Sequence, residues 1–215
     1  MQKWGRQLQW LLQTRRYRNN RFSMTEEKSI TAIILAGGKS TRMKTEKGLV
    51  SFRGKMIVEH VIEALNKITH HIIIVTANPA YKQFGFPCFE DEMQNKGPLG
   101  GIYTGLVHST AQKNLVVGCD MPLISVNVLS DLVNNSSDED VLLTEHLGKA
   151  EPLCSVYDKN CIPHFKSLLE QNHLKITDAL KGLTTRVTSF DKEEWFKGNE
   201  FTNINSIDEL KKYDS

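Results

Sequence analysis

No apolar run in the 215-residue sequence reaches the roughly 18 to 20 residues that a helix needs to cross a bilayer, and runs such as Ile72–Val75 are only as long as a strand. The sequence therefore predicts no membrane span. The four cysteines include no CxxC pair, and the seven histidines form neither an HExxH motif nor a Cys/His cluster with zinc spacing. We therefore expect reduced, buried thiols, without a disulfide framework or a zinc site.

Acidic residues are absent from residues 1–23, the leader, which holds six basic residues. The chain from Met24 onward has 21 basic and 25 acidic residues, so its net charge is −4, although the whole chain carries +2. A mildly acidic body argues against general nucleic-acid binding, which needs many lysines and arginines gathered on one face.

The leader also lacks the small-residue cleavage site of an export signal, and its apolar stretch LQWLL is short for one, although its arginines suit a transit peptide. We expect a poorly ordered basic extension over residues 1–23, a single domain over residues 24–215 and a cytoplasmic location. A chain with 40% hydrophobic and 24% charged residues is ordinary for a globular protein that buries one core.

Short β-branched runs alternate with helical periods from residue 30 onward, which is typical of βα units around a parallel sheet. Ile30–Leu35 has the continuous apolar pattern of a strand buried on both faces, and residues 56–68 have the pattern of an amphipathic helix. Further strands are predicted at residues 72–76 and 114–120, and in the stretches DVLLT, PLCSVY and TRVTSF. The acidic run at residues 138–140 is most simply a solvated loop. Together these patterns predict a three-layer α/β domain with a mixed sheet.

A glycine-started, cationic loop, Leu35 to Lys47, follows the first strand. In open α/β sheets, ligands bind at the carboxyl ends of the strands, where such loops converge. Gly37 and Gly38 allow backbone N–H groups to turn inward and approach a phosphate closely. Arg42 and Lys47 have the charge to neutralise its oxygens. The loop therefore predicts a polyphosphate cradle, although a solvated turn would also explain it if it stood alone.

The loop matches neither of the two best-known phosphate cradles. A Walker A motif would need glycine where Ile33 stands, and GxGxxG would need glycine where Lys39 stands. A second predicted strand, however, ends on Asp120, and a carboxylate there suits Mg²⁺, which takes one or two carboxylates plus substrate phosphates. The alternative for Asp120 is a helix-capping or turn residue. A metal-binding carboxylate beside a phosphate cradle is what phosphoryl or nucleotidyl transfer requires.

These residues resemble the molybdenum cofactor guanylyltransferases, MobA-like members of the nucleotidyltransferase superfamily. The family signature LAGGxSxRMxxDKxL is matched at Leu35, Ala36, Gly37, Gly38, Ser40, Arg42, Met43, Lys47 and Leu49. The resemblance continues through EDE at 90–92, GPLGGI at 97–102, CDMP at 119–122 and NINSIDEL at 203–210. It implies a Rossmann-like nucleotidyltransferase fold with a mostly parallel, mixed central sheet.

The same resemblance implies an enzyme that transfers GMP from Mg-GTP to the terminal phosphate of molybdenum-carrying molybdopterin and releases pyrophosphate. GTP and molybdopterin are then its substrates and Mg²⁺ is its cofactor. Proteins that deliver or receive the molybdenum cofactor are further partners that the resemblance allows, and no nucleic-acid or membrane partner is expected. The implied GTP-binding residues are Leu35, Ala36, Gly37, Lys47, Asp91 and Asp120. The implied catalytic residues are Arg42, Lys47 and Asp120, of which Asp120 also binds the metal.

Two positions depart from the family pattern. Glu46 replaces an aspartate and keeps its charge, and Thr76 stands where the family has an asparagine. Asn78, two residues later, is therefore assigned to the base or ribose, with a turn before Pro79 as the alternative. Asp91 would accept hydrogen bonds from the nucleoside or act as a loop acid. The asparagines of NIN, residues 203–205, would lie beside the metal or form a capped turn.

Other functions remain open at this point. A cytidylyltransferase, or a nucleotidyltransferase that acts on a different phosphorylated acceptor, would use the same cradle. A third hypothesis, from another class, is a nucleotide-binding or scaffold protein that has lost turnover, or a nucleic-acid binder that works through the leader.

Overall fold

A computed structural model of the protein describes residues 30–37 and 46–213, so that the leader and Arg42 lie outside the described residues. The strands are β1 (Ile30–Leu35), β2 (Ser51–Phe52), β3 (Lys55–Met56), β4 (Ile72–Val75), β5 (Cys88–Phe89), β6 (Lys113–Gly118), β7 (Val141–His146), β8 (Lys149–Ala150), β9 (Cys154–Asp158) and β10 (Thr185–Ser189). The helices are α1 (Ile57–Leu65), α2 (Gly97–His108), α3 (Val126–Asn135), α4 (Cys161–Glu170), α5 (Ile176–Ala179) and α6 (Ile207–Tyr213). Two 3-10 turns, Lys47–Leu49 and Pro79–Phe84, follow β1 and β4.

The central sheet has the order β10-β7-β9-β6-β1-β4-β5, with β8 paired to β7. β1 pairs in parallel with β4 and β6, β4 with β5, and β7 with β10. β9 runs antiparallel to both β6 and β7. The predicted mixed, mostly parallel sheet is therefore confirmed.

All six residues of β1 are buried because helices cover both faces of the sheet. Ile34 packs in one core cluster with residues of α1 and α3, and Ile33 packs in the opposite cluster with residues of α2 and α4. Side chains alternate across a strand, so neighbouring residues of β1 enter different clusters. The three-layer architecture follows from this alternation.

The amphipathic helix predicted at residues 56–68 is α1, which ends earlier, at Leu65. Its predicted apolar face is buried at Val58, Val61, Ile62 and Leu65. The strands predicted in the later part of the chain are also present, as β7, β9 and β10. Among the described residues, no helix combines the length and the apolar content that crossing a bilayer would require.

The four cysteines are free thiols, of which Cys119, Cys154 and Cys161 are buried and Cys88 is half-buried. The short elements β2 and β3, of two residues each, and α5, of four residues, were not predicted, because they are too short to show a period.

The expectation of a solvated acidic loop at residues 138–140 is wrong for Glu139, which is 6% exposed. Its carboxylate lies 3.0 Å from Arg186 Nη2 and accepts hydrogen bonds from the N–H and hydroxyl of Ser137. Burial alone would raise the pKa of Glu139, but the hydrogen bonds from Ser137 and Arg186 outweigh burial and lower the pKa to about 2. Glu139 therefore ties the start of β7 to β10.

Candidate active site

The candidate site lies where the strand order reverses. The chain continues from β1 to β4 and β5 on one side, and then returns to place β6 on the other side of β1. In open α/β sheets, ligands bind at the carboxyl ends of the strands at such a switch point. The N–H of Cys119 donates to Leu35 O at 3.1 Å, and the N–H of Ala36 donates to Val75 O at 2.9 Å. These bonds hold the end of β1 between the ends of β4 and β6.

Lys47 joins three distant segments of the chain at this edge of the sheet. Its Nζ lies 3.5 Å from Asp120 Oδ2 and donates a hydrogen bond of 2.5 Å to Asn205 Oδ1. The Lys47 and Asp120 side chains are 27% and 19% exposed, so the ion pair is screened from bulk water but still accessible. The structure thus brings together two of the predicted catalytic residues, with an asparagine of NIN beside them.

Asp120 follows β6 and is held by both neighbouring backbone segments. A Cβ on Gly118 would lie 2.9 Å from Asp120 Oδ1, so only glycine leaves room for the carboxylate in this position. The backbone carbonyl of Asp120 accepts a hydrogen bond of 2.9 Å from the N–H of Ile204. Burial raises the pKa of Asp120, and Lys47 acts in the opposite direction. The positive charge of Lys47 therefore does not fully offset the effect of burial on the carboxylate.

The donor chemistry around Asp120 fits a hard cation that also binds phosphates. Mg²⁺ takes oxygen ligands and is usually held by one or two carboxylates, with substrate phosphates and water completing its shell. Within residues 30–37 and 46–213, no three His, Cys, Asp or Glu side chains converge as a site built only from protein ligands would require. A metal held by Asp120 would therefore take most of its remaining ligands from the substrate phosphates and water.

The segment before α6 explains how Asn205 reaches Lys47. Ser206 Oγ accepts a hydrogen bond from the N–H of Glu209 and caps α6, and Glu209 Oε2 accepts from the N–H of Asn205 at 2.6 Å. The Asn205 side chain donates through Nδ2 to Asn203 O at 3.0 Å, which leaves its carbonyl oxygen for Lys47. The capped turn is therefore present and orients the Asn205 side chain toward Lys47, whereas a place for NIN beside a metal stays a prediction.

Asp91 lies at the same edge of the sheet, just after β5. A Cβ on Gly101 of α2 would lie 3.3 Å from Leu35 Cδ2 and 3.9 Å from Asp91 Oδ1, so the carboxylate sits close to the end of β1. Burial raises the pKa of Asp91. A half-buried carboxyl group of this kind is suited to accept hydrogen bonds from a ligand, and its contact with a nucleoside stays a prediction.

Asn78 has a local structural partner. Its Oδ1 accepts a hydrogen bond of 3.0 Å from the N–H of Ala80 and caps the turn Pro79–Phe84, while its own N–H donates to Thr76 Oγ1 at 3.1 Å. The alternative role as a turn residue is therefore present in the structure. A contact from Asn78 to the base or ribose stays a prediction, as does the phosphate contact assigned to Arg42, which lies outside the described residues.

Sequence reasoning missed the part of the site beneath Lys47. Gly48 and Tyr81 are both buried, and the Tyr81 hydroxyl donates to Cys119 Sγ at 3.9 Å. Burial raises the pKa of the Cys119 thiol to about 12, so it is neutral and unreactive. The available signal was the glycine that directly follows the lysine in EKGL.

Comparisons with known proteins identify the family of the chain. The sequence matches the family described as "MobA-like NTP transferase domain" over residues 32–185. The "Probable molybdenum cofactor guanylyltransferase" of Flavobacterium johnsoniae is 40% identical over 183 residues, covering 85% of this chain and 95% of that protein. The "Molybdenum cofactor guanylyltransferase" of Vibrio campbellii is 34% identical over 187 residues, covering 84% and 93%.

A solved structure, that of molybdopterin-guanine dinucleotide biosynthesis protein A from Archaeoglobus fulgidus, is similar with a TM-score of 0.71 and 25% sequence identity. The similarity covers 86% of this chain and 96% of that chain. The family match spans well over half of the chain, and the 40% identity extends over most of it. The chain therefore belongs to the family of MobA-like NTP transferase domains and is a nucleotidyltransferase.

Proposed function

We propose that the protein transfers GMP from GTP to the terminal phosphate of molybdenum-carrying molybdopterin and releases pyrophosphate. The observation that carries this proposal is the Lys47 ammonium group beside the Asp120 carboxylate, 3.5 Å apart at the switch point of the sheet. This pairing offers a cation for phosphate oxygens and a carboxylate for a metal in one crevice. The names of the relatives from Flavobacterium johnsoniae and Vibrio campbellii support the choice of reaction.

The reaction needs no general base from the protein. A phosphate monoester is already anionic at neutral pH, so an oxygen of the acceptor phosphate attacks the α-phosphorus of GTP directly. A new phosphorus–oxygen bond forms, the bond from the α-phosphorus to the bridging oxygen breaks, and pyrophosphate leaves with that oxygen and the electron pair. The chemistry then depends on positioning and charge stabilisation, which is consistent with the residues of this site.

Lys47 is proposed to stabilise the negative charge that grows on the leaving pyrophosphate. Asn205 accepts a hydrogen bond from its ammonium group and Asp120 lies beside it, so the cation is oriented before the substrate arrives. Arg42 is proposed as a second cation for the triphosphate. When bound at Asp120, Mg²⁺ supplies positive charge to the phosphate oxygens.

The nucleoside is proposed to lie toward the β4 and β5 side of the crevice. Leu35 at the end of β1, with Ala36 and Gly37 directly after it, would lie beneath the nucleoside, and a Cβ at Gly37 would meet no atom of the described residues within 4 Å. Asp91 is proposed to accept hydrogen bonds from guanine or ribose, since its carboxyl group is half-buried beside Leu35. Asn78 is proposed as a further contact to the base or ribose.

The test is to incubate the purified protein with molybdenum-carrying molybdopterin, GTP and Mg²⁺, and to measure pyrophosphate and the dinucleotide product. We expect both to form in equal amounts and to depend on the acceptor. A parallel reaction with CTP should give little product. Equal rates with CTP, or pyrophosphate release without the acceptor, would contradict the proposed reaction.

A further inference from the structure

A buried tyrosine lies under the segment that carries Lys47. Tyr81 belongs to the turn Pro79–Phe84 after β4 and is fully buried. Its hydroxyl hydrogen-bonds to Cys119 Sγ at 3.9 Å, and sulfur is a weak acceptor. Cys119 directly precedes Asp120, so the hydroxyl contacts the chain neighbour of the carboxylate that is proposed to bind the metal.

Gly48 lies directly on this hydroxyl. A Cβ at Gly48 would overlap the Tyr81 hydroxyl oxygen and would come within 3.2 Å of Cys119 Sγ and 3.3 Å of Tyr81 Cζ. Gly48 does not have a positive φ, so glycine is needed here for close approach and not for an unusual backbone conformation. The backbone of the turn Lys47–Leu49 therefore rests directly on the tyrosine and the thiol.

The two residues of the ion pair are thereby tied together through their chain neighbours. Lys47 directly precedes Gly48 in the chain, and Cys119 directly precedes Asp120. Gly48 and Cys119 both lie against the Tyr81 hydroxyl. A shift of Gly48 would move Lys47 relative to Asp120 and Asn205, which now lie 3.5 Å and 2.5 Å from its ammonium nitrogen. A displacement of about 1 Å in a catalytic group is enough to cost about a hundredfold in rate.

We infer that Tyr81 and Gly48 are positioning residues, which together set the distance between the Lys47 ammonium group and the Asp120 carboxylate. The kinetic test of this inference rests on the proposed function, whereas the effect on the distance between Lys47 and Asp120 does not. Both residues are buried, so they would act through Lys47 and not by contact with the substrate.

The test compares three variants with the unaltered protein: Gly48→Ala, Tyr81→Phe and the double variant. Gly48→Ala should lower kcat about a hundredfold with little change in the KM for the acceptor, because the added methyl group pushes the turn away from Asp120. Tyr81→Phe alone should lower kcat about fivefold, as expected for a lost weak hydrogen bond. The double variant should regain at least about tenfold over Gly48→Ala, because removal of the hydroxyl removes the worst overlap.

Gly105→Ala is the matched control. A Cβ at Gly105 would overlap Ile33 Cγ2 to the same extent, but in the core between α2 and β1. This variant should lower the unfolding temperature as Gly48→Ala does, keep its kcat per folded molecule, and gain nothing from Tyr81→Phe. A merely structural role of Gly48 would make the two glycine variants behave alike, which would overturn the inference.

Crystal structures of the same variants separate this inference from the proposed function. In Gly48→Ala the distance from Lys47 Nζ to Asp120 Oδ2 should exceed the present 3.5 Å, and in the double variant it should return toward that value. An unchanged distance in Gly48→Ala, or a folded double variant as slow as Gly48→Ala, would refute the positioning role. If the unaltered protein transfers no GMP, the proposed function fails, and the distances still decide the inference.

Discussion

Lys47 is central to the candidate site, because its ammonium group contacts the side chains of Asp120 and Asn205, which are both more than 70 residues away in the chain. The ion pair with Asp120 has limited value for stability, since both groups remain partly exposed. We propose that its value is instead to orient a cation and a carboxylate toward the same ligand. The two residues should therefore matter much more for turnover than for folding.

We expect Lys47→Ala and Asp120→Ala each to lower kcat by about a hundredfold or more, because each removes a preorganised charge worth ~3 kcal/mol in the transition state. The unfolding temperature should change little. The measurement is GTP-dependent pyrophosphate release at saturating acceptor, together with thermal unfolding. Lys67→Ala, at an exposed lysine just beyond α1, is the control and should be as fast as the unaltered protein. A near-normal rate for either site variant would refute the assigned roles.

At the scale of secondary-structure elements, a single buried carboxylate reinforces the contact between β7 and β10, which also pair directly as parallel strands. Glu139 precedes β7, and Arg186 lies on β10, an edge strand of the described sheet. Arg186 also donates to the backbone carbonyl of Asn135, at the end of α3. One side-chain pair therefore holds a helix end, a strand start and an edge strand together.

This pair makes stability depend on pH in a defined direction. The pKa of Glu139 falls from its usual value of 4.5 to about 2 on folding, so its contribution is present above pH 4.5 and is lost as the pH falls through 2. We expect Glu139→Gln to lower the free energy of unfolding by about 2 kcal/mol at pH 7 and by much less at pH 2. Urea unfolding at several pH values measures this difference.

Asp138→Asn is the control for that experiment, since Asp138 is the exposed neighbour in the same acidic run. It should have little effect at any pH. The same loss of stability for Glu139→Gln at pH 7 and pH 2 would mean that the carboxylate charge is not what stabilises the β7 and β10 contact.

In the whole molecule, the candidate site lies along one edge of the central sheet. The carboxyl ends of β1, β4, β5 and β6 point the same way, because these strands are parallel, and α2 and the segment before α6 close the crevice from two sides. A ligand bound there would contact several elements at once. It would therefore stabilise the entire domain and not one loop.

We expect GTP with Mg²⁺ to stabilise the protein more than CTP with Mg²⁺ does. A ligand at 100 times its dissociation constant adds ~2.7 kcal/mol to the free energy of unfolding, which is readily seen as a rise in unfolding temperature. Each nucleotide should be titrated with and without Mg²⁺, and Asp120→Ala should weaken the effect of the metal. Equal shifts with GTP and CTP would leave the preference for guanine without support.

A shortened chain that begins at Met24 should keep its GTP-dependent activity, because every proposed site residue follows residue 30. Any affinity for nucleic acid should disappear with the six basic residues of the leader. Filter binding to duplex DNA at several salt concentrations, beside the pyrophosphate assay, checks both statements. Retained nucleic-acid affinity would place it in the body of the protein and would contradict the expectation from its net charge.

Features encoded in contiguous residues could be predicted from the sequence. Ile30–Leu35 was predicted with its observed bounds, because six consecutive residues carry the apolar pattern of a strand covered on both faces. The face of α1 was predicted because its period repeats over three turns. The phosphate cradle and the metal-binding role of Asp120 were proposed because glycines, cations and a carboxylate follow buried strands, and the resemblance to the family implied their roles.

Contacts between residues far apart in the chain could be identified only from the tertiary structure. The pairing of Lys47 with Asn205, the burial of Glu139 against Arg186 and the overlap that forbids a side chain at Gly48 each join residues more than 30 positions apart. Such contacts leave no local period or spacing in the sequence, because they depend on how complete elements pack. Hydrophobic alternation and turn chemistry thus specify which elements form and where the crevice opens, whereas packing specifies which charged and polar groups meet inside it.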